Sequence, residues 1–311
     1  MLSRRIIRIK IMQLLYATTN EKELNVSNIL KRYNQNIQQS YNLYLFNLAT
    51  MGVVSDFAKK DKEKRVTKLL PTDADVNFLP KLALNELTSS INQHEGFAKE
   101  LASNDIDVNL DESTIKSVYT EFTKTKEYKG YQENQDTKAE QDKEVLLALY
   151  KFCLGNELFE DVVDDRYSNW EDDKSLVVGA IKRTIKALPL KNELYEQFRP
   201  NYGTTQEFGA VLLETVIQKD ADLLKIIEPN LKNWDADRVA IIDMILIKMA
   251  IAELLNFSSI PTKVTLNEYV EIAKLYSTDK SKDFINGILD RLMKKLEQDG
   301  LISKQGRGLK D

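Results

Sequence analysis

The stretch that decides the fold runs from residue 234 to residue 290: WDADRVAIIDMILIKMAIAELLNFSSIPTKVTLNEYVEIAKLYSTDKSKDFINGILD. Its first half, Val239 to Leu255, carries apolar side chains on nearly every side, which predicts a helix buried in the middle of a bundle. Pro261 predicts a break before the next helix, and Thr265-x-x-Glu268 fits a capping box. Four apolar residues at helical spacing predict the core stripe of a last helix: Ile285, Leu289, Leu292 and Leu296.

The N-terminal segment also predicts a helix, from residue 3 to residue 18, with Ser3 suited to the N-cap position. Four cations fall within the first ten residues: Arg4, Arg5, Arg8 and Lys10. Positive charge at a helix N-terminus opposes the macrodipole. A polyanion partner would explain this arrangement, and a solvated basic face is the alternative. Tyr16 closes the segment and either stacks on an RNA base or packs half-buried.

The region between these two segments is longer and less specific. A second helix is expected from about residue 26 to residue 48, and others over about 81–101 and 111–127. Residues 124–143 are polar and mixed in charge, which predicts a linker or an exposed helical extension. At an offset of 64 residues Asn169-Trp170 matches Asn233-Trp234, which fits either a duplicated helical unit or chance.

Composition limits the classes of function. The 311 residues include only 11 Gly and 6 Pro, a mix that favours one or two domains of long helices. A formal net charge of −4 argues against coating nucleic acid through bulk charge, although a local basic patch remains compatible with it. A single cysteine, Cys153, excludes an intrachain disulfide and favours the reducing cytoplasm. Charged residues interrupt every apolar run, so neither a signal peptide nor a membrane span is predicted.

No residue pattern predicts catalysis. His94 is the only histidine, and a zinc site needs about four ligands, so a solvated surface position is expected for it. Cys153 lies among apolar residues and is expected in the core. The chain has no GxxxxGK[ST] loop and no GxGxxG loop after a strand. The sequence therefore predicts a protein without enzymatic activity, metal or cofactor.

Two parts of the chain resemble the NusB family of bacterial transcription antitermination factors. One is the first helix, where Arg4-Arg5-x-x-Arg8 is followed by Gln13-x-Leu15-Tyr16. The other covers about residues 205–297. Its specific motifs are Pro261-Thr262-Lys263-Val264, Asn267-Glu268, Glu271-x-Ala273-Lys274 and Phe284-x-Asn286-Gly287. The chain departs from the family by about 150 extra residues between these parts, by Ile9 where Glu is usual, and by Lys280 where an acidic residue is common.

The resemblance implies an all-α fold of two packed three-helix bundles, here with additional inserted helices. It also implies pairing with NusE, a small-subunit ribosomal protein, and binding of boxA RNA within RNA polymerase antitermination complexes. The RNA-facing candidates that it implies are Arg4, Arg5, Arg8, Tyr16, Lys280 and Phe284, although pattern alone favours internal packing for Phe284. The candidates that it implies for the NusE-facing surface are Phe208, Val211, Glu214, Asp243 and Lys248.

The expected organisation is an N-terminal helical region over 1–200, a NusB-like bundle over 201–298 and a flexible tail over 299–311. A helical interaction protein without an RNA role, whose docking surface is created by the insert, remains an alternative. A NusB-like domain of an RNA methyltransferase is disfavoured because no glycine-rich cofactor loop is present. The sequence leaves the oligomeric state open, including a homo-oligomer.

Overall fold

The computed structural model describes residues 2–21, 25–134, 138–191, 193–231, 239–278 and 280–304. Over these ranges the secondary structure is helical and no strand is present, which confirms the predicted all-α fold. The chain forms two compact units. The closing unit consists of Leu2–Ile37 and the chain from Pro200 onward, and the inserted unit consists of Gln38–Arg199. The quoted residues 234–238, and with them the Asn233-Trp234 half of the echo, lie outside the described residues.

The helices are numbered in chain order. They are α1 (Arg4–Ala17), α2 (Val26–Val66), α3 (Asp73–Val76), α4 (Lys81–Leu84), α5 (Glu86–Asn92), α6 (Glu95–Ser103), α7 (Glu112–Phe122), α8 (Lys126–Glu133), α9 (Ala139–Cys153), α10 (Glu157–Arg166), α11 (Trp170–Ala187), α12 (Val211–Gln218), α13 (Asp220–Ile227), α14 (Ile241–Asn256), α15 (Thr262–Tyr276) and α16 (Ser281–Gln298). Two 3₁₀ helices, Leu194–Phe198 and Glu228–Asn230, and a π-helix, Gly203–Ala210, complete the described helical elements.

Helix α14 is the centre of the closing unit, as its apolar sequence predicts. From Ile245 to Leu254 every side chain except Lys248 is buried. α14 packs against α1, α12, α13, α15 and α16. The predicted core stripe of the last helix is also confirmed, because Ile285, Leu289, Leu292 and Leu296 of α16 are all buried.

Helix α1 belongs to the closing unit, where it packs against α14 and the π-helix. The predicted N-cap is present: Ser3 Oγ accepts a hydrogen bond from the backbone N–H of Ile6 at 3.4 Å. Within the predicted helical region 1–200, the first helix thus belongs to the closing unit and the inserted unit begins at Gln38. The reason is that the buried face of α1, from Ile7 to Leu15, finds its partners in the last third of the chain.

A glycine permits the close approach of three segments in the closing unit. A Cβ on Gly209 of the π-helix would lie 2.0 Å from Tyr33 Oη and 2.6 Å from Ile7 Cγ2. Tyr33 Oη donates a hydrogen bond to the backbone carbonyl of Thr205 at 2.8 Å, which holds α2 against the same element. A larger residue at position 209 would push α1 and α2 away from the π-helix.

The inserted unit has its own core, formed by most of α2 together with α4 to α11. The prediction of a linker or exposed extension over 124–143 is wrong for the described part of that range. Tyr128 and Tyr131 of α8 are buried, and Tyr131 Oη donates a hydrogen bond to Asp142 Oδ1 at 2.6 Å. Tyrosines three residues apart give this polar helix one inward face.

The expected helix over 81–101 is divided into α4, α5 and α6 because two residues start new helices. Asn85 Oδ1 accepts from the N–H of Thr88 at 2.8 Å, and His94 Nδ1 accepts from the N–H of Phe97 at 3.0 Å. His94 is thus a half-buried helix cap, where the sequence predicted a solvated side chain. Among the described residues, no helix combines the length and apolarity that crossing a membrane requires.

Candidate nucleic-acid interface

The first helix places its three arginines in three different environments. Arg8 lies on the buried face of α1, with 2% of its surface exposed. Its Nε and Nη2 atoms donate to the two carboxylate oxygens of Glu253 in α14, both at 2.7 Å. This fork-to-fork pair joins residues 245 positions apart and fixes α1 against the central helix.

Glu253 is fully buried, and further hydrogen bonds satisfy its carboxylate. Thr265 Oγ1 donates to it at 2.8 Å and Tyr269 Oη donates at 3.1 Å, both from α15. The predicted capping box at Thr265-x-x-Glu268 is wrong, because α15 already begins at Thr262. Both residues lie inside the helix, where Thr265 donates to Glu253 and Glu268 accepts from Arg5.

Arg8 is further enclosed by aromatic rings and a second carboxylate. Its Cζ atom lies 5.1 Å from the ring centre of Phe208 and 5.7 Å from that of Tyr269, and its Nη1 atom lies 3.5 Å from Glu268. Burial lowers the pKa of Arg8, but the hydrogen bonds that Arg8 donates to Glu253 and the nearby negative charges outweigh this effect and raise the pKa overall. Burial raises the pKa of the Tyr269 hydroxyl, which therefore stays protonated as a donor.

The prediction that Arg8 faces RNA is therefore wrong for this structure. Its hydrogen-bonding capacity is directed to internal carboxylates, and its guanidinium is inaccessible. The cost of positive charge at the start of α1, which favoured a polyanion partner in the sequence, is offset at Arg8 by carboxylates inside the protein.

Arg5 is paired but remains exposed. Its Nε and Nη2 atoms donate to the two oxygens of Glu268 at 2.8 Å and 2.7 Å, with 48% of the Arg5 side chain accessible. The hydrogen bond from Arg5 lowers the pKa of Glu268. Because the Nη1 atom takes no part in this pair, the outer edge of the guanidinium can still donate to a ligand.

Arg4 is the exposed arginine of α1 that forms no ion pair in the part of the chain that the structure describes. Its Cζ atom lies 5.4 Å from the ring centre of Phe208, so the guanidinium makes a cation–π contact with this ring. Arg4 and Arg5 together form a cationic surface at the start of α1, which we call the arginine end.

Tyr16 lies at the other end of the same helix, about 18 Å along the axis from Arg4. Its side chain is 50% exposed, as an RNA-stacking role requires. Residues 7–12 between them are all buried. Buried side chains therefore separate the two accessible ends of α1, and the RNA candidates of this helix do not form one continuous exposed face.

The start of α16 carries the two remaining RNA candidates. Lys280 is exposed and Phe284 is half-buried. Ser277 Oγ donates to Asp243 Oδ1 at 2.6 Å and lies 2.9 Å from Ser281 Oγ, which fixes the start of α16 at the start of α14.

The expected partner-facing residues divide into internal and accessible groups. Phe208 and Asp243 are 1% and 4% exposed, so the prediction that they face a partner is wrong. Phe208 packs edge-on against Phe257, with ring centres 5.1 Å apart and ring planes inclined at 61°. Val211 is 41% exposed, and Glu214 is half-buried one turn later on the same face of α12.

Lys248 lies beside a groove in the closing unit. Its Nζ atom lies 2.5 Å from Asp220 Oδ1. The groove encloses about 370 Å³ and is lined mainly by apolar residues of α1, α12 and α14, including Leu15, Val216 and Ile245. Lys248 and Asp220 form a charged edge on this groove.

The described residues contain no cluster of three or more side chains suited to holding a metal ion. Cys153 is fully buried, and burial raises the pKa of its thiol to about 12. Such a thiol carries negligible thiolate near neutral pH and is a poor nucleophile. The site thus consists of exposed cations and aromatic side chains, a chemistry that suits binding of an anionic polymer.

Sequence reasoning missed the role of Glu253. The signal was present, because a carboxylate within the apolar run 239–255 must find a partner when that helix is buried. The Asn267-Glu268 motif was recognised, but its function as the partner of Arg5 follows only from the structure.

The fold and the site together define an all-helical protein in which two N-terminal arginines, Arg5 and Arg8, pair with carboxylates of the last bundle. Residues 182–294 match the family model described as the NusB family. The transcription antitermination protein NusB of Salinibacter ruber is 40% identical over 153 residues, which cover 48% of this chain and 87% of the relative. The chain belongs to the NusB family.

Two further relatives carry the same name. The NusB protein of Chloroherpeton thalassium is 44% identical over 106 residues, which cover 34% of this chain and 50% of the relative. That of Listeria monocytogenes is 45% identical over 78 residues, which cover 25% of this chain and 61% of the relative. The chain thus spans about half of the first of these relatives and most of the Salinibacter protein. No solved structure matches the chain.

Proposed function

We propose that this protein is a cytoplasmic, non-enzymatic transcription antitermination factor that binds boxA-type RNA together with NusE. The observation that carries the proposal is the similarity to the Salinibacter antitermination protein over 87% of that protein's length. The exposed arginine end supports RNA contact, because guanidinium groups pair with phosphates in a bidentate manner.

In this proposal Arg4 and the outer edge of Arg5 contact phosphates, and Tyr16 stacks on a base. Lys280 adds a phosphate contact at the start of α16, and the half-buried Phe284 is the further aromatic candidate for RNA contact on that helix. Arg8 acts indirectly, because its pair with Glu253 fixes the position of α1.

The test is fluorescence anisotropy with a labelled boxA-type RNA, with and without NusE, over a series of salt concentrations. We expect Arg4→Gln to weaken binding and to lower the salt slope by about 0.7, the value for one contact to a single-strand phosphate. Lys295→Gln is the matched control, since Lys295 is an exposed lysine of α16 that forms no ion pair within the described ranges. A wild-type protein that binds no RNA at low salt, even with NusE, would contradict the proposal.

NusE pairing is assigned to the accessible part of the predicted surface, Val211 and Glu214 of α12 with Lys248 of α14. We expect Val211→Asp to reduce the NusE-dependent gain in RNA affinity, because it places a charge in an apolar contact. Binding of RNA by the protein alone should remain the same. An unchanged response to NusE would remove α12 from the partner surface.

A helical interaction protein without RNA binding is the second candidate. It is favoured by the net charge of −4 and by the internal use of Arg8. Capture of partners from lysate with and without nuclease separates the two. Complete retention of the partners after nuclease treatment would favour the second candidate.

A further inference from the structure

The second half of α11 in the inserted unit carries an unusual concentration of positive charge. Residues 175–192 contain four cations and no acidic residue, whereas 48 acidic residues in a chain of 311 would place about three in a stretch of this length. Three of the cations lie on α11 within little more than one helical turn: Lys182, Arg183 and Lys186. We call them the α11 basic face.

The members of this face are accessible and form no ion pair over the described ranges. All three side chains are exposed. Many other cations of the inserted unit are neutralised locally: Lys60 pairs with Glu112, and Lys68 with Asp75. The α11 basic face thus keeps its charge available for an external anion.

Arg183 is held in a fixed orientation. Its Cζ atom lies 5.0 Å from the ring centre of Phe198, which is buried, and its Nε atom donates to the backbone carbonyl of Gly179 at 3.3 Å. The Nη1 and Nη2 atoms form the opposite edge of the guanidinium. Neither atom has a hydrogen-bond partner among the described residues, so this edge can grip a phosphate with two hydrogen bonds.

Gly179 lies one turn before Arg183 and is also exposed. A Cβ at this position would meet no atom within 4 Å, so internal packing does not require a glycine here. Glycine lowers the stability of a helix interior relative to alanine. Its presence leaves a flat surface on which the backbone of a ligand can approach the helix closely.

Favourable interaction with the helix dipole explains only part of this pattern. Cations stabilise a helix C-terminus, but the effect is confined to the last turn. Lys186 is the basic residue of that turn, and Lys182 and Arg183 precede it. The helix dipole also does not require that residues 175–192 contain no acidic residue.

We propose that the α11 basic face is a second RNA-contacting surface, which binds phosphates of the strand outside the segment held by the closing unit. This inference rests on the proposed RNA-binding function. It assigns a role to the inserted unit, Gln38–Arg199, through three charges that an RNA strand neutralises by counterion release.

The test compares a short boxA-type RNA with the same RNA extended by unstructured nucleotides on either side. For the triple variant Lys182→Gln/Arg183→Gln/Lys186→Gln we expect affinity for the extended RNA to fall roughly 10- to 100-fold near 0.1 M salt, with a salt slope lower by about 2. Affinity for the short RNA should stay unchanged. Lys182→Gln/Lys186→Gln leaves Arg183 in place and should give an intermediate loss of affinity for the extended RNA. Gly179→Gln leaves the charge unchanged and tests whether the RNA backbone approaches the helix closely at this position.

The control removes the same charge elsewhere on the inserted unit, with Lys99→Gln/Lys116→Gln/Lys151→Gln from α6, α7 and α9. Equal losses in the control and the triple variant would overturn the inference in favour of bulk charge. An unchanged triple variant would overturn it too, and would leave the proposed function intact if Arg4→Gln still weakens the short RNA. Absence of any RNA binding by the wild type would refute both.

Discussion

The buried ion pair between Arg8 and Glu253 leads to a specific prediction about the stability of the closing unit. Replacing Arg8 with Met keeps an unbranched side chain of similar length but leaves a carboxylate buried with hydroxyl donors alone. Removing one partner of a buried ion pair costs about 3–5 kcal/mol, because the remaining charge is uncompensated. We expect Arg8→Met to destabilise the closing unit by this amount.

A double variant tests the cause of this loss. Glu253→Gln removes the buried charge, so Arg8→Met/Glu253→Gln should be more stable than Arg8→Met alone, with a coupling energy of about 0.5–3 kcal/mol. Arg32→Met is the control within the same unit, because Arg32 pairs with Glu21 where both side chains are 42% exposed. Such a surface pair contributes about 0–1 kcal/mol.

Hydrogen exchange is the appropriate measurement, because two compact units need not unfold in a single two-state transition. Amides of α1 and α14 should lose protection in Arg8→Met, and amides of α9 in the inserted unit serve as the internal reference. A cost for Arg8→Met no larger than that for Arg32→Met would refute the argument that the pair is desolvated.

Three further predictions follow from single contacts. The pKa of Glu268 lies below its ordinary 4.5, so its stabilising contribution is present above that pH and is lost as the pH falls through the folded-state pKa. Arg5→Gln should shift the NMR titration midpoint of Glu268 upward, and an unmoved midpoint would exclude Arg5 as the cause. Cys153 should resist alkylation near pH 8 until the inserted unit unfolds, since its thiol pKa is about 12; rapid labelling of the native protein would contradict its burial. Gly209→Ala should cost about 1–3 kcal/mol through overpacking against Tyr33, with a lower thermal midpoint as the readout and an unchanged midpoint as the contrary result.

The sequence predicted the elements whose pattern is periodic and locally determined. The apolar run of α14 identified the central helix, and the spacing of Ile285, Leu289 and Leu292 identified the inner face of α16. Both predictions depend only on side chains three to seven residues apart. The interruption of the helix expected over 81–101 was missed because it depends on Asn85 and His94 acting as caps, which an isolated histidine does not indicate.

The site was harder to predict because its charges are paired over long sequence separations. Arg4, Arg5 and Arg8 have the same sequence signature, yet one is unpaired over the described ranges, one is paired and exposed, and one is buried. Their difference is set by Glu253 and Glu268, which lie about 250 residues away in the chain. Helical periodicity places Arg8 on the face shared with the core but does not identify the carboxylate that makes its burial tolerable.

This distribution of ion pairs changes how the charge of the protein bears on RNA binding. The net charge of −4 is a sum over all charged residues of the chain. Many of its cations, among them Arg8, are already neutralised by carboxylates of the same chain. The salt dependence of binding instead counts the phosphates that are neutralised in the complex. The affinity for RNA should therefore depend on the accessible cations that still have free hydrogen-bond donors. These lie at the arginine end in the closing unit and on the α11 basic face in the inserted unit. An acidic protein can bind RNA in this way because a few supported arginines and lysines act locally, while the rest of the charge is screened over about 10 Å at ordinary ionic strength.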